Sequence, residues 1–328
     1  MQLYPLSFKT IFKDKLWGGQ KIRTILGKEF APLPNCGETW EISGVAGNVS
    51  VVKNGPLEGK NLTELIESFQ GRLMGQRVYE KFGNEFPLLV KFIDANDDLS
   101  IQVHPDDELA KARHNSFGKT EMWYIFQADE GSGLIAGFNR PLTRELYEIY
   151  FESGRIMEIL NHEKVTPGDV FFLPAGRVHT IGKGLLLAEI QQTSDITYRI
   201  YDFDRRDDAG NLRELHVEEA LDAIDYNFYR EYKTNYPKVK NEAVTIVSSP
   251  YFSTQKIEAD QPLRRDYSGI DSFVIFVCVG GSLIIKDQLG NQLPLQLGET
   301  CLLPAAIDYV ELIPNGEYTL LEAWVPVS

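Results

Sequence analysis

The sequence predicts a mainly β protein made of two copies of one strand-rich unit with a few packed helices, and three observations carry that expectation. First, short apolar or alternating runs recur, broken by Gly, Pro, Asn and Asp: FPLLVKFID (86–94), LSIQVH (99–104), EMWYIF (121–126), DVFFLP (169–174), GLLLAEIQQ (184–192) and ITYRIYDF (196–203). Runs of this length and punctuation read as strands. Second, helical periodicity is confined to three stretches. Residues 61–74 carry Leu62, Leu65, Ile66, Phe69 and Leu73 on one stripe, 141–160 opens with a proline suited to a first helical turn, and 217–224 repeats Val217, Ala220, Leu221 and Ile224. Third, the chain matches itself: GDVFFLPAGRVH (168–179) and GETCLLPAAIDY (298–309) align with every landmark displaced by 130 residues, Gly168 to Gly298, Pro174 to Pro304, His179 to Tyr309.

The charged, proline-containing stretch 229–244 is the expected linker, giving a first domain over 1–235 and a second over 236–328. All five histidines precede residue 217, so the second copy has no imidazole to offer a metal and the chemistry is expected in the first. The pattern G-x5-P-x-G-x2-H of the first copy resembles the second sequence motif of the cupins. That resemblance implies two jelly-roll barrels, the first with a metal ligand at His179 and the second degenerate.

Composition narrows the function. With 33 Lys+Arg against 47 Asp+Glu the formal charge is −14, which argues against nucleic acid or an anionic membrane as partner. Cys36, Cys278 and Cys301 are odd in number and widely spaced, the last two in apolar runs, and read as buried thiols rather than a disulfide framework. No apolar stretch has the length of a membrane span and the N-terminus has no apolar leader core, so a cytoplasmic protein is expected.

Alternation puts Ser100, Gln102 and His104 on one face of LSIQVH and Leu99, Ile101 and Val103 on the other. Three polar residues on one face of an apolar strand suit either a solvated edge or a partner inside a barrel. Lys119 and Glu121 repeat the feature in GKTEMWYIF. Together Gln102, His104, Glu121 and His179 make a candidate metal set from separate strands. Two imidazoles and one carboxylate suit Zn²⁺ and equally non-haem Fe(II), while a neutral amide at Gln102 preserves the charge of a Lewis-acidic ion. Lys91 interrupts an apolar run and needs a charged group to face. With Lys119 and Arg199 it suggests an anionic substrate, phosphate matching Arg and Lys donors well. Arg205 and Arg206, beside Asp204, Asp207 and Asp208, also read as a solvated pair. His114, His162 and His216 show no pattern that points to catalysis.

LWGG (16–19), GETWEISG (37–44), LSIQVHPDDELA (99–110), GKTEMWY (118–124), the motif ending at His179, and GKGLLLAEIQQTSDITYRIYDFDR (182–205) together resemble the type I mannose-6-phosphate isomerases in their short bacterial form. The resemblance covers roughly residues 5–206. It implies one zinc ion per chain held by Gln102, His104, Glu121 and His179, with Arg199, Lys119 and Glu189 as catalytic residues. Ser100, Lys91 and Arg205 would bind the substrate and its phosphate. The implied reaction interconverts mannose 6-phosphate and fructose 6-phosphate through a cis-enediol, with the sugar phosphate as small-molecule substrate. Two rival readings remain open from residues alone: a cupin dioxygenase, which the two-histidine, one-carboxylate core would suit, and a catalytically silent sugar-sensing protein.

Overall fold

The computed structural model describes residues 2–206 and 209–327, and the six strand runs form strands: Leu88–Ala95, Ile101–Val103, Glu121–Ala128, Val170–Leu173, Leu185–Gln192 and Tyr198–Tyr201. The fold is mainly β and antiparallel, as expected, and consistent with the cupin type. Helices differ more. The stripe over 61–74 is broken by Gln70 at φ 46° into Leu62–Phe69 and Gly71–Met74, the former started by a reciprocal cap between Asn61 and Glu64. The predicted 141–160 helix is only Arg144–Glu152, because Gly154 turns left-handed at φ 69° and Leu160 already begins the strand Leu160–Lys164. Helices Gln76–Phe82 and Asp107–His114 are additional.

The chain forms two compact units, one of Lys13–Glu38 and Ile93–Thr234, the other of Met1–Phe12, Thr39–Phe92 and Asn235–Ser328. The break after Thr234 falls inside the expected linker. A division into 1–235 and 236–328 nevertheless misses that residues 1–12 and 39–92 pack with the C-terminal strands. Hydrogen bonds within that unit give the reason: Leu6 and Leu302 exchange backbone bonds of 2.9 and 2.8 Å, Phe273 N donates to Met74 O at 3.1 Å, and the Asp271 carboxylate caps Gln76–Phe82.

In the unit containing Ile93–Thr234, one antiparallel sheet runs Leu185–Gln192, Glu121–Ala128, Val170–Leu173, and a second runs Tyr198–Tyr201, Ile101–Val103, His179–Ile181, Gly133–Phe138, Leu160–Lys164. Trp123, Ile125, Phe171 and Leu187 of the first sheet join Leu134, Ala136 and Ile181 of the second in one core. Ile101, Val103, Ile135, Tyr198 and Ile200 instead pack with Tyr147, Ala220 and Leu221 of helices Arg144–Glu152 and Val217–Ala223. Because strand side chains alternate, Gln102 points away from those helices, into the space between the sheets.

In the other unit the long strands Val274–Asp287 and Tyr309–Trp324 pair along much of their length, with irregularities between Cys278/Gly280 and Gly281/Leu283 that bend the sheet. Leu263–Asp266 and then Ser253–Ala259 follow the same edge of Tyr309–Trp324. The internal repeat is structural. Gly168 and Gly298 take φ of 92° and 83°, where only glycine sits without strain. Each repeat's proline then opens the same turn, Arg177 N to Pro174 O at 3.1 Å and Ile307 N to Pro304 O at 2.9 Å. Next come the strands headed by His179 and Tyr309. The Arg264 guanidinium lies 3.8 Å from the centre of the Tyr309 ring, so the residue aligned with the histidine serves packing. Tyr309→Phe keeps the ring and is expected to leave kcat/KM and Tm nearly unchanged, since a cation–ring contact of ~0.5–1 kcal/mol is retained. A collapse of kcat in a folded variant would give this unit a part in catalysis.

Candidate metal centre and active site

Strand register aligns the site. Across the second sheet Arg199 lies opposite Gln102, Gln102 opposite His179, and His179 opposite Ala136, one row over four adjacent strands. His104 directly follows the Gln102 strand, its carbonyl accepting from Gly176 N at 2.9 Å. Glu121 opens its strand in the opposing sheet, between Leu173 and Gln191.

These side chains converge on one buried point. His104 and His179 are 1% exposed and Glu121 is fully buried. His104 Nε2 lies 3.6 Å and His179 Nε2 3.3 Å from the Glu121 carboxylate oxygens. The Lys119 ammonium donates to Glu121 and sits 3.0 Å from His104 Nε2, so a cation already occupies the focus of their lone pairs. The Gln102 amide is 3.4 Å from His179 Nε2. Atoms about 2.0–2.2 Å from a common ion lie roughly 3.3–3.6 Å apart, so His104, Glu121 and His179 can hold a metal ion.

Backbone carbonyls orient both imidazoles. His104 Nδ1–H donates to Ile196 O at 2.8 Å and His179 Nδ1–H to Arg177 O at 2.7 Å, which leaves each Nε2 lone pair inward. Burial, with the nearby Lys119 charge, pushes the His179 pKa down to about 3, so the ring is neutral at physiological pH. The unfolded chain takes up this proton below the ordinary histidine value of 6.5 and the folded one does not. Metal-free protein is therefore expected to lose stability as pH falls from 6.5 towards 3. Tm against pH should show a shallower slope for chelator-treated His179→Gln than for wild type, and parallel curves would contradict the assignment.

A polar network fixes Lys119, which lies just outside the strand that alternation had assigned it to. Its own N–H reaches Pro105 O at 3.1 Å. Gln192 Oε1 accepts from Thr120 N at 2.9 Å and Gln192 Nε2 donates to Asp107 Oδ1 at 2.9 Å, the same oxygen that accepts from Gly118 N at 2.8 Å. Asp107 and Gln192 were missed from sequence, although two glutamines ending an apolar strand need buried partners. Trp123 was missed as well. Its Nε1–H donates to Glu189 Oε2 at 2.8 Å, and its ring meets His179 edge-on at 5.3 Å.

The remaining expected residues are placed as follows. Glu189 is 3% and Ser100 4% exposed, Ser100 just before the Gln102 strand. Arg199 donates from Nη1 to Glu214 O at 2.7 Å, and Arg205 from Nη2 to Asp98 O at 2.6 Å and Asp202 at 3.2 Å. Lys91 belongs to the other unit, buried with its ammonium 5.4 Å from the Trp40 ring centre. His114 ends helix Asp107–His114 with Nε2 2.8 Å from the Tyr198 hydroxyl, and His216 accepts from Arg199 N at 3.2 Å.

Comparison with known proteins decides what this arrangement belongs to. Residues 6–127 match the family model of the phosphomannose isomerase type I catalytic domain. The Bacillus subtilis protein named Probable mannose-6-phosphate isomerase GmuF is 39% identical over 97% of this chain and 96% of its own length. The chain belongs to the type I mannose-6-phosphate isomerases. The Streptococcus mutans mannose-6-phosphate isomerase is 35% identical over 92% of this chain and 93% of its own. The crystal structure of the mannose 6-phosphate isomerase from Bacillus subtilis superposes with a TM-score of 0.87 at 33% identity, covering 97% of this chain and 99% of that one. This isomerase is thus neither a dioxygenase nor a bare sensor. Among its described residues no helix is long and apolar enough to cross a membrane.

Proposed function

We propose that this isomerase interconverts mannose 6-phosphate and fructose 6-phosphate with a zinc ion held by Gln102, His104, Glu121 and His179. The observation that carries the reading is the buried convergence of two inward Nε2 lone pairs and one carboxylate on a single cation-accepting point, in a chain of this family. Neutral imidazoles and a single carboxylate suit zinc. The Gln102 amide, already beside His179, presents its oxygen after a simple rotation about its last bond. When bound, the ion supplies a Lewis acid for the oxygens of the open-chain sugar.

The chain's own residues carry the remaining work. A base takes the proton from C2 of the aldose and returns it to C1 through a cis-enediol, while the hydroxyl proton of O2 passes to O1. Glu189 and Lys119 are the candidates: Glu189 Oε2 is fixed by the Trp123 indole, and the Lys119 side chain, which accepts a proton only as the neutral amine, stands among the ligand atoms. His104 is unsuited, because Nδ1 carries its proton and Nε2 faces the metal point. Arg199, one residue across from Gln102, offers charge to the enediolate. Ser100 and Arg205 bind the phosphate.

A coupled assay of fructose 6-phosphate formation, with metal analysis before and after chelation, tests the reading. The expected result is activity lost with the chelated metal and restored by zinc. Full turnover by demonstrably metal-free protein would end it.

A further inference from the structure

Three guanidiniums gather beside the Arg199–Gln102–His179 row. A bridge between Arg206 and Leu212 brings Arg205 and Arg213 together. The Asp202 carboxylate, 5% exposed, takes the Arg213 fork, Nε at 2.6 Å with Nη2 on its other oxygen, and a single nitrogen of Arg205, Nη2 at 3.2 Å. Burial pushes the Arg199 guanidinium pKa down, and the neighbouring Arg213 charge pushes it the same way. Among the described residues, Asp202 is the carboxylate hydrogen-bonded to Arg205 and Arg213, while the Arg199 guanidinium donates to the Glu214 carbonyl. Two of the buried N–H donors, Arg199 Nε and Arg205 Nη1, have no hydrogen-bond partner.

Three crowded cations around one carboxylate repel each other, and a buried donor left unpaired costs ~1–3 kcal/mol. A multidentate anion removes both penalties, and a phosphate with three terminal oxygens is the anion that matches planar forks best. We propose that Arg213, aligned by Asp202, is a second phosphate-directed guanidinium beside Arg205, next to the Arg199 that faces the enediolate. Asp202 is its positioning residue: one carboxylate fixes Arg213 bidentately and Arg205 by a single nitrogen, so the pair is set before substrate arrives. The inference rests on the sugar-phosphate reading and adds a residue that neither the motifs nor the resemblance assigned.

The test uses the metal-loaded enzyme and inorganic phosphate as probe. Phosphate affinity is measured by calorimetry, together with KM and kcat for mannose 6-phosphate and metal content. Arg213→Gln should weaken phosphate binding about tenfold and raise KM by a similar factor, with most of the loss in KM rather than kcat and metal content unchanged. Arg213→Lys should recover only part of the loss, because an ammonium cannot reproduce the fork. Asp202→Asn, close in shape, should raise KM in the same direction and covers the case in which Arg213→Gln does not fold. Phosphate affinity and KM within about twofold of wild type in the folded variants would overturn the proposal, as would a loss confined to kcat. Absence of mannose 6-phosphate turnover by the wild type would instead sink the isomerase reading.

Discussion

Removing either imidazole, His104→Ala or His179→Ala, is expected to abolish metal retention and isomerase activity together. Each ring is buried, donates from Nδ1 to a backbone carbonyl and presents Nε2 to Glu121, so no solvent-exposed or mobile group stands ready to replace it. Loss of a supporting hydrogen-bond partner costs a metal site about 10–100-fold in affinity, and loss of a ligand costs more. The vacated volume also leaves the Glu121 carboxylate with the Lys119 ammonium as its main partner, which favours an internal ion pair over metal binding. Gln102→Ala should be milder, because a neutral amide is the weakest of the four proposed ligands. Metal content after dialysis, measured with kcat/KM, reads the outcome. A fully metallated, active His104→Ala/His179→Ala protein would remove both residues from the site, whereas metal retention in Gln102→Ala with reduced kcat would keep the set intact.

Much of this site was legible because its ligands obey short-range rules. Period-two alternation put Gln102 opposite in face to Ile101 and Val103, and the structure packs those two under the helices. The repeated glycine–proline spacing located His179 at the head of its strand. What stayed hidden depends on pairings made far along the chain. Helix Asp107–His114 buries only Ala110, so it has almost no apolar stripe to detect. Its Asp106 cap, acidic first turn and basic last turn were the signals available instead. Lys119 shares the site with Glu121, but through Pro105, Asp107 and Gln192 rather than through strand alternation. The grouping of residues 39–92 with the C-terminal strands follows from hydrogen bonds such as Phe273 N to Met74 O. Sequence order alone cannot anticipate partners that distant. Asp202 stayed hidden at shorter range: its oxygens are taken by Arg205 and Arg213, three and eleven positions along the chain, and no motif marks Arg213.

Arg199→Ala and Arg199→Lys are both expected to lose on the order of 10² or more in kcat/KM, roughly 2.7 kcal/mol, while still binding metal. Register places Arg199 directly across from Gln102, and its backbone is held on both sides by His216, through Arg199 N to Nδ1 at 3.2 Å and His216 N to Arg199 O at 2.7 Å. Truncating the side chain therefore leaves the strand, and with it Gln102 and His179, in place. The guanidinium is anchored by one nitrogen to Glu214 O while its buried Nε has no partner, the arrangement of a donor kept for a ligand. Lysine would keep a charge but not the planar fork, and its compact ammonium cannot hold the Glu214 carbonyl and the substrate together. The loss should therefore appear largely in kcat, where charge would develop on the proposed enediolate, in contrast to the KM effect expected at Arg213. Steady-state kinetics with metal analysis and Tm separate these cases. Near-normal kcat/KM in a folded, metal-loaded Arg199→Ala protein would return Arg199 to a structural role, as the clip that ties its strand to residues 214–216.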